Sequence, residues 1–235
     1  MLTEQDYKDG QILLIDKPLQ WTSFQAVNKL RWLIRKNFGI KKIKVGHAGT
    51  LDPLASGLLI ICTGKFTKRI QEFMGQTKEY TGTITLGSTT PSYDLETEID
   101  KTYSIDHISE EMVQRTTEQF IGEIEQYPPV FSALKKDGKR LYEYARQGEE
   151  VAISARKITI SAFEITRIEL PEVDFRVVCG KGTYIRSLAH DFGKALESGG
   201  HLSVLRRTKI GEFSVEDAIT PETFENQLGA EIETA

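Results

Sequence analysis

The chain has 235 residues, 39% of them hydrophobic and 27% charged, with a formal net charge of −4. This is the composition of a globular protein long enough to bury a core. The longest unbroken apolar run, Leu58 to Cys62, is far too short to cross a bilayer as a helix, and no membrane association is expected. The N-terminal Met1-Leu2-Thr3-Glu4-Gln5-Asp6 lacks the basic and apolar regions of a secretion signal, so a cytoplasmic location is expected. Cys62 and Cys179 stand apart with no CxxC, and read as buried thiols in a reducing compartment rather than a disulfide framework or a zinc site.

In chain order, Gln11 to Asp16 reads as a short apolar strand. Ser23 is the expected N-cap of a helix whose Phe24, Val27, Leu30, Leu33, Ile34 and Phe38 fall at helical spacing, with Lys29, Arg31, Arg35 and Lys36 outward. A Gly-rich loop is expected over 46–57, then a buried strand over 58–62 and helix over 66–73. Residues 80–86 alternate, with Tyr80, Gly82, Ile84 and Leu86 on the core-facing side. An acidic helix is expected over 109–121, and Pro128-Pro129 breaks the chain. Ile158 to Ala162 alternates and slips at Phe163, which predicts a bulge or a bend. Val173, Phe175, Val177 and Cys179 define another strand, and Ile185, Leu188, Phe192 and Leu196 the apolar face of a further helix. Strands unevenly interleaved with helices predict an α+β fold with a mixed, mainly antiparallel sheet.

Charge is unevenly spread. Between Asp16 and Glu72 there are eleven Lys or Arg and one acid, Asp52, so this stretch is the one suited to a phosphate-bearing partner. Asp52 lies in Gly46-His47-Ala48-Gly49-Thr50-Leu51-Asp52-Pro53-Leu54-Ala55-Ser56-Gly57. Gly46, Gly49 and Gly57 allow a ligand close to the backbone, and Pro53 keeps Asp52 out of helical conformation. No Gly-Lys-Ser/Thr follows, so the loop is not a phosphate-binding P-loop. An aspartate before proline also caps turns, and spacing alone leaves that alternative open. His107, His190 and His201 are scattered without metal-ligand spacing and receive no role.

The 46–57 run resembles the catalytic motif of the TruB-type tRNA pseudouridine-55 synthase family. Leu14-Ile15-Asp16-Lys17-Pro18 and Lys78-Glu79-Tyr80 resemble further family motifs. So do Pro129-Val130-Phe131-Ser132-Ala133-Leu134-Lys135 with Arg140 to Gly148, Lys181 to Leu188, and Leu205-Arg206-Arg207-Thr208. The likeness runs over residues 10–215, and the ordered set carries it. It implies a pseudouridine-synthase catalytic domain over 10–215. An acidic tail over 216–235 follows, too short for the PUA RNA-binding domain of many members. It implies isomerisation of uridine 55 in the tRNA T loop, with no metal or organic cofactor, no membrane, no obligatory protein partner, and a monomer.

By the same resemblance Asp52 is the catalytic carboxylate, Arg186 its ion-pair partner and Tyr80 the ring packed on the target base and a candidate base beside it, these three forming the catalytic set. His47 holds or displaces neighbouring nucleotides, Leu205 lines the uracil pocket, and Lys17 and Pro18 buttress the tyrosine. Lys135, Arg206 and Arg207 are expected to contact substrate, the two arginines through phosphates. The chemistry suits these residue types. Breaking N1–C1′ leaves positive character at C1′ that a carboxylate can stabilise or trap. Addition of Asp52 to uracil C6, or abstraction of the C2′ proton to give a glycal, stays open. Gln20 stands where the motif usually has Gly, and Thr90-Pro91-Ser92-Tyr93-Asp94 departs from the usual Thr-Asp-Thr-x-Asp.

Overall fold

The computed structural model describes residues 2–132, 134–136, 138–149 and 151–230. Ala133 of the Pro129–Lys135 motif and residues 231–235 of the expected tail lie outside the described residues. The chain forms two compact units, Met1–Glu79 with Arg206–Ala235, and Tyr80–Leu205.

The first unit opens with α1 (Glu4–Asp9) and β1 (Ile12–Lys17). In α2 (Ser23–Phe38) the N-cap is Thr22, not Ser23. Thr22 Oγ1 accepts the Gln25 N–H at 3.1 Å, and Gln25 Oε1 accepts the Thr22 N–H at 2.7 Å, a reciprocal capping box. Ala26, Val27, Leu30, Leu33 and Ile34 are buried as the period predicts, whereas Phe24 is 63% exposed. At 3.6 residues per turn Phe24 lies about 120° around the helix from Leu30, off the apolar stripe. Gly39, at φ 63, closes the helix.

Next come β2 (Val45–His47) and β3 (Ala55–Thr63), paired antiparallel with Val45 opposite Thr63 and His47 opposite Ile61. The expected loop is therefore shorter, spanning 48–54. β1 pairs β3 on its other edge. Leu59 and Ile61 pack with Leu30, Ile34, Phe224 and Leu228, and Leu58, Ile60 and Cys62 with Phe73 and Ile210. Both faces of β3 are covered, which is why its sequence is continuously apolar rather than alternating. A 3₁₀ turn (Gly64–Arg69) and α3 (Ile70–Met74) supply the helical segment expected over 66–73, and β4 (Lys78–Leu86) carries the chain onward.

In the second unit β5 (Ser88–Thr89) pairs β6 (Lys101–Thr102). Ser109 caps α4 (Glu110–Thr116), which a 3₁₀ turn extends to Phe120. β7 (Gly122–Gln126) follows, then the β8 (Lys135–Lys136) and β9 (Lys139–Arg140) hairpin and α5 (Leu141–Arg146). β10 (Arg156–Glu169) runs antiparallel to both β7 and β11 (Glu172–Cys179). The predicted irregularity is present, its register shift falling between Ile160 and Ala162. α6 (Ile185–Ala195) buries Ile185, Leu188, Ala189 and Phe192. Phe163 meets Phe120, Phe175 and Phe192 with ring centroids 5.3–6.1 Å apart, the centre of this unit's core.

β12 (Gly200–Ile210) returns the chain to the first unit, where β13 (Phe213–Ser214) pairs its end. α7 (Pro221–Ala230) then lies within the stretch expected as an acidic tail. Its Phe224 and Leu228 are buried against α2, and Glu225 pairs with Lys29 at 2.5 Å. The fold is the expected α+β, with strands largely antiparallel. Both cysteines are buried and unbridged, and burial pushes the Cys62 thiol up to about 11. Among the described residues no helix is long and apolar enough to cross a membrane.

Candidate active site

In the first unit the 48–54 loop is pinned on each side of Asp52. Ser23, freed from capping and buried, donates to the Leu51 carbonyl at 3.1 Å and accepts the Leu51 N–H at 2.8 Å. The Gln20 N–H reaches the Pro53 carbonyl at 2.7 Å, and the Ala55 N–H the Asp52 carbonyl at 3.0 Å. Gln20 makes its bond from φ 67. That is the left-handed conformation glycine adopts freely and other residues adopt at about 1–2 kcal/mol. The turn of the resembled motif is thus kept despite the missing glycine.

Two buried cations brace this assembly. Arg207, 1% exposed, is not placed to meet the phosphates expected of it: it donates from Nε to the Leu58 carbonyl at 2.8 Å and from Nη2 to the Gly49 carbonyl at 3.1 Å. Lys17, 0% exposed, donates to the carbonyls of Pro18 at 2.9 Å and Trp21 at 2.6 Å. Burial lowers the Lys17 ammonium to about 8, the negative charge of Asp52 opposing the fall and Arg207 adding to it. His47 at the end of β2 is held below its ordinary value, first by burial and then by Arg207, so its imidazole is neutral at pH 7. Arg206 forms a two-pronged pair with Asp16, at 3.0 and 2.7 Å, and reaches Ser56 Oγ at 3.4 Å.

Two of the three glycines, Gly46 on β2 and Gly57 on β3, serve the protein's own packing. A Cβ on Gly57, at φ 103, would meet the Arg207 carbonyl oxygen at 2.3 Å, and one on Gly46 would meet Ile70 at 2.8 Å. The close approach expected of a ligand is made at these two positions by β12 and α3.

In the second unit Arg186 sits in the first turn of α6, 5% exposed. It faces Asp94 at 3.6 Å and donates to the carbonyls of Phe131 at 2.9 Å and Ser92 at 3.4 Å. Asp94 is buried and its Oδ1 accepts the Glu96 N–H at 2.9 Å. Tyr93, at φ 64, stacks on His190 with centroids 4.0 Å apart. The 90–94 turn, noticed in sequence only as a departure, is therefore tied to Arg186. Tyr80 lies half-buried on β4, Leu205 is buried on β12, and Lys135 is exposed on the β8–β9 hairpin.

The first unit thus gathers Asp52, His47, Lys17, Pro18, Arg206 and Arg207, and the second carries Tyr80, Arg186, Leu205 and Lys135. Sequence reasoning missed Ser23 as a latch and Asp94 as a buried acid. Gln25, three residues after Thr22, was the available signal for the first, since it marks Thr22 as the cap and releases Ser23. For Asp94 the signal was its place at the last position of the Thr-Asp-Thr-x-Asp pattern, kept although the 90–94 turn departs elsewhere and ten acids crowd the stretch between Ser92 and Glu125.

An α+β chain with an aspartate loop strapped in this way has the pseudouridine-synthase fold. Residues 35–185 match the family described as TruB family pseudouridylate synthase (N terminal domain), and residues 186–234 that described as tRNA pseudouridylate synthase B C-terminal domain. The chain belongs to the TruB family of pseudouridylate synthases. It is 65% identical to the tRNA pseudouridine synthase B of Flavobacterium johnsoniae, over 97% of this chain and 100% of that one. It is 56% identical to the same enzyme of Phocaeicola vulgatus, over 95% of each. Among solved structures it is similar to a chain of a Cbf5-Nop10-Gar1 complex, with 32% identity and a TM-score of 0.71 over 95% of this chain. A second is in an H/ACA RNP bound to a substrate RNA, with 28% identity and a TM-score of 0.68 over 96%. The chain spans 55% of the length of each of those two solved chains.

Proposed function

We propose that this tRNA pseudouridine synthase isomerises uridine 55 in the T loop, with Asp52 as the essential carboxylate. The observation that carries the reading is the loop itself. One carboxylate, on a segment pinned at Leu51 and Pro53, lies in a stretch otherwise basic from Lys17 to Arg69. The N1–C1′ bond breaks, the uracil turns, C5 joins C1′, and the proton that C5 sheds is balanced by the one gained at N1. Asp52 acts at C1′, at C6 or on the C2′ proton, and each route needs a carboxylate at a fixed position beside the ribose or base.

The remaining roles follow the chemistry of each side chain. The target uridine leaves its stack to be reached. Tyr80 offers a stacking face worth about 1–3 kcal/mol. Arg186 directs the Asp52 carboxylate through its planar fork. Leu205 lines the uracil pocket, and neutral His47 packs against displaced nucleotides. Lys17, Pro18 and Arg207 act as positioning residues, while Lys135 and Arg206 meet RNA phosphates. No metal or organic cofactor enters the reaction. The enzyme works as a cytoplasmic monomer.

The test is pseudouridine mapping on unmodified tRNA transcript with the wild type and Asp52→Asn. A single conversion in the T loop is expected, lost in the variant while tRNA binding persists. Binding without conversion by the wild type would overturn the reading in favour of a non-catalytic RNA-binding module. Conversion elsewhere would overturn the position alone.

A further inference from the structure

His190 enters none of the steps above, yet it lies on the same face of α6 as Arg186, one helical turn further along. At 1.5 Å per residue the two are about 6 Å apart along the helix axis. A single short turn of the chain meets both. Ser92 and Asp94 face Arg186, and Tyr93 between them stacks on the His190 ring, with centroids 4.0 Å apart and planes inclined by 17°.

Tyr93 is held at φ 64, a left-handed backbone that a residue with a Cβ adopts only at a cost. Strain of this kind persists where the surroundings over-determine it, and it gathers at functional sites. The turn closes on itself, the Tyr93 N–H donating to the Thr90 carbonyl at 3.1 Å across Pro91 and Ser92. Its link to β12 is also short, the Leu202 N–H donating to the Tyr93 carbonyl at 2.9 Å. Toward α6 its polar contacts are long, 3.6 Å from Asp94 to Arg186 Nε and 3.4 Å from the Ser92 carbonyl to Arg186 Nη1. Contacts of that length tolerate movement. The shorter bond of Arg186, at 2.9 Å, goes to Phe131, outside the turn.

The ring stack is therefore the close contact between turn and helix. Both rings are neutral at pH 7. Burial and then Lys194 hold the His190 imidazole below its ordinary value, with Asp100 opposing, and burial with Asp191 and Asp100 raises the Tyr93 hydroxyl. His190 Nδ1 is buried with no hydrogen-bond partner among the described residues, so packing on Tyr93 rather than a bond at this nitrogen fixes the ring.

We infer that the Tyr93–His190 stack positions Arg186 for the reaction by locking the 92–94 turn to α6 at a second point, one helical turn beyond the guanidinium. Attached to the helix at Arg186 alone, the turn can pivot. Attached at Arg186 and His190 it cannot, and Asp94 and the Ser92 carbonyl then meet the guanidinium in one arrangement. Tyr93 and His190 act through Arg186 and are positioning residues. The inference rests on the reading above that Arg186 directs the Asp52 carboxylate.

The experiment measures single-turnover pseudouridine formation on tRNA transcript, beside equilibrium tRNA binding and urea unfolding. Tyr93→Gly removes the ring while relaxing the left-handed backbone, so it separates the stack from the fold of the turn. The rate should fall about 10-fold or more, with the tRNA Kd and a cooperative unfolding transition retained. His190→Ala should match it, and the double variant should lose no more than either single one, because both remove one contact. Tyr93→Phe and His190→Phe keep two stacked rings and should restore the rate. A wild-type rate in Tyr93→Gly would overturn the inference, as would losses that multiply in the double variant. A weakened Kd with the rate intact would also overturn it, assigning the rings to substrate contact. If Tyr93→Gly does not fold, a slow but folded His190→Phe would do so. A wild-type rate in Arg186→Lys would instead overturn the role given to Arg186 itself.

Discussion

Ser23 and Leu51 hold each other twice, the serine hydroxyl taking the leucine N–H at 2.8 Å and giving its own proton to the leucine carbonyl at 3.1 Å. This ties the first turn of α2 to the residue before Asp52. Ser23→Ala leaves both backbone groups buried and unpaired, at about 1–3 kcal/mol. A carboxylate displaced by a fraction of an ångström to an ångström loses turnover steeply. We expect kcat to fall by about 10–100-fold with tRNA affinity unchanged. Steady-state kinetics beside equilibrium binding decides it, and a wild-type kcat would show that the latch does not position the loop.

Lys17 makes stability depend on pH in an unusual direction. Its folded pKa of about 8 lies below the ordinary 10.5. Between those values the unfolded chain holds a proton that the folded chain has released, so this group makes the fold more stable as pH rises. Lys17→Met removes the titration and also leaves the Pro18 and Trp21 carbonyls without their donor. The variant should be less stable throughout. Its deficit relative to wild type should widen by up to about 3 kcal/mol across the window. Urea unfolding at several pH values reads this directly, and parallel stability curves would contradict it.

Asp94 is expected to matter although the 90–94 turn that carries it departs from the usual family pattern. Its carboxylate faces Arg186 with both groups almost wholly buried. Asp94→Asn weakens one of the contacts fixing the guanidinium, and a cost near the lower end of that for breaking a buried pair, about 3 kcal/mol, is expected. Arg186→Lys should be comparably harmful, because an ammonium cannot span Asp94 and the Phe131 and Ser92 carbonyls together. Thermal melts and kcat/KM for the two variants test the pairing. A neutral Asp94→Asn would refute it.

Gly57→Ala should be among the most damaging single-methyl changes in the chain. The added carbon overlaps the Arg207 backbone, and φ 103 is itself strained for alanine. A loss of about 4 kcal/mol or more is expected, in the exceptional range for point substitutions. Denaturant unfolding measures it. A loss below about 1 kcal/mol would mean that β3 and β12 separate easily at this point.

Much of the architecture could be read from periodicity. α2, α6 and β11 each bury one side, so their patterns are clean. β3 could be located but its surroundings could not, because a continuous apolar run says only that both faces are covered. The proposed site is carried in sequence by motifs, as at Asp52, Tyr80 and Arg186. Its supports are not. Lys17 and Arg207 are charged, and charge in a sequence reads as surface or phosphate contact. What buries them is a set of loop carbonyls in need of donors, and only the fold reveals which carbonyls those are. Phe24 failed in the opposite sense, an apolar residue placed on the wrong arc of its helix.

The bracing of the Asp52 loop also bears on how RNA length should affect the reaction. A loop whose carbonyls are already occupied by Arg207, Ser23 and Gln20 brings little ordering cost to the encounter, since that entropy was lost when the chain folded. Contacts made by the RNA are then left to open its own stack rather than to shape the protein. A trimmed RNA meets the same prearranged carboxylate as a complete one, and its shortfall should appear in occupancy, not in the rate of the bound complex.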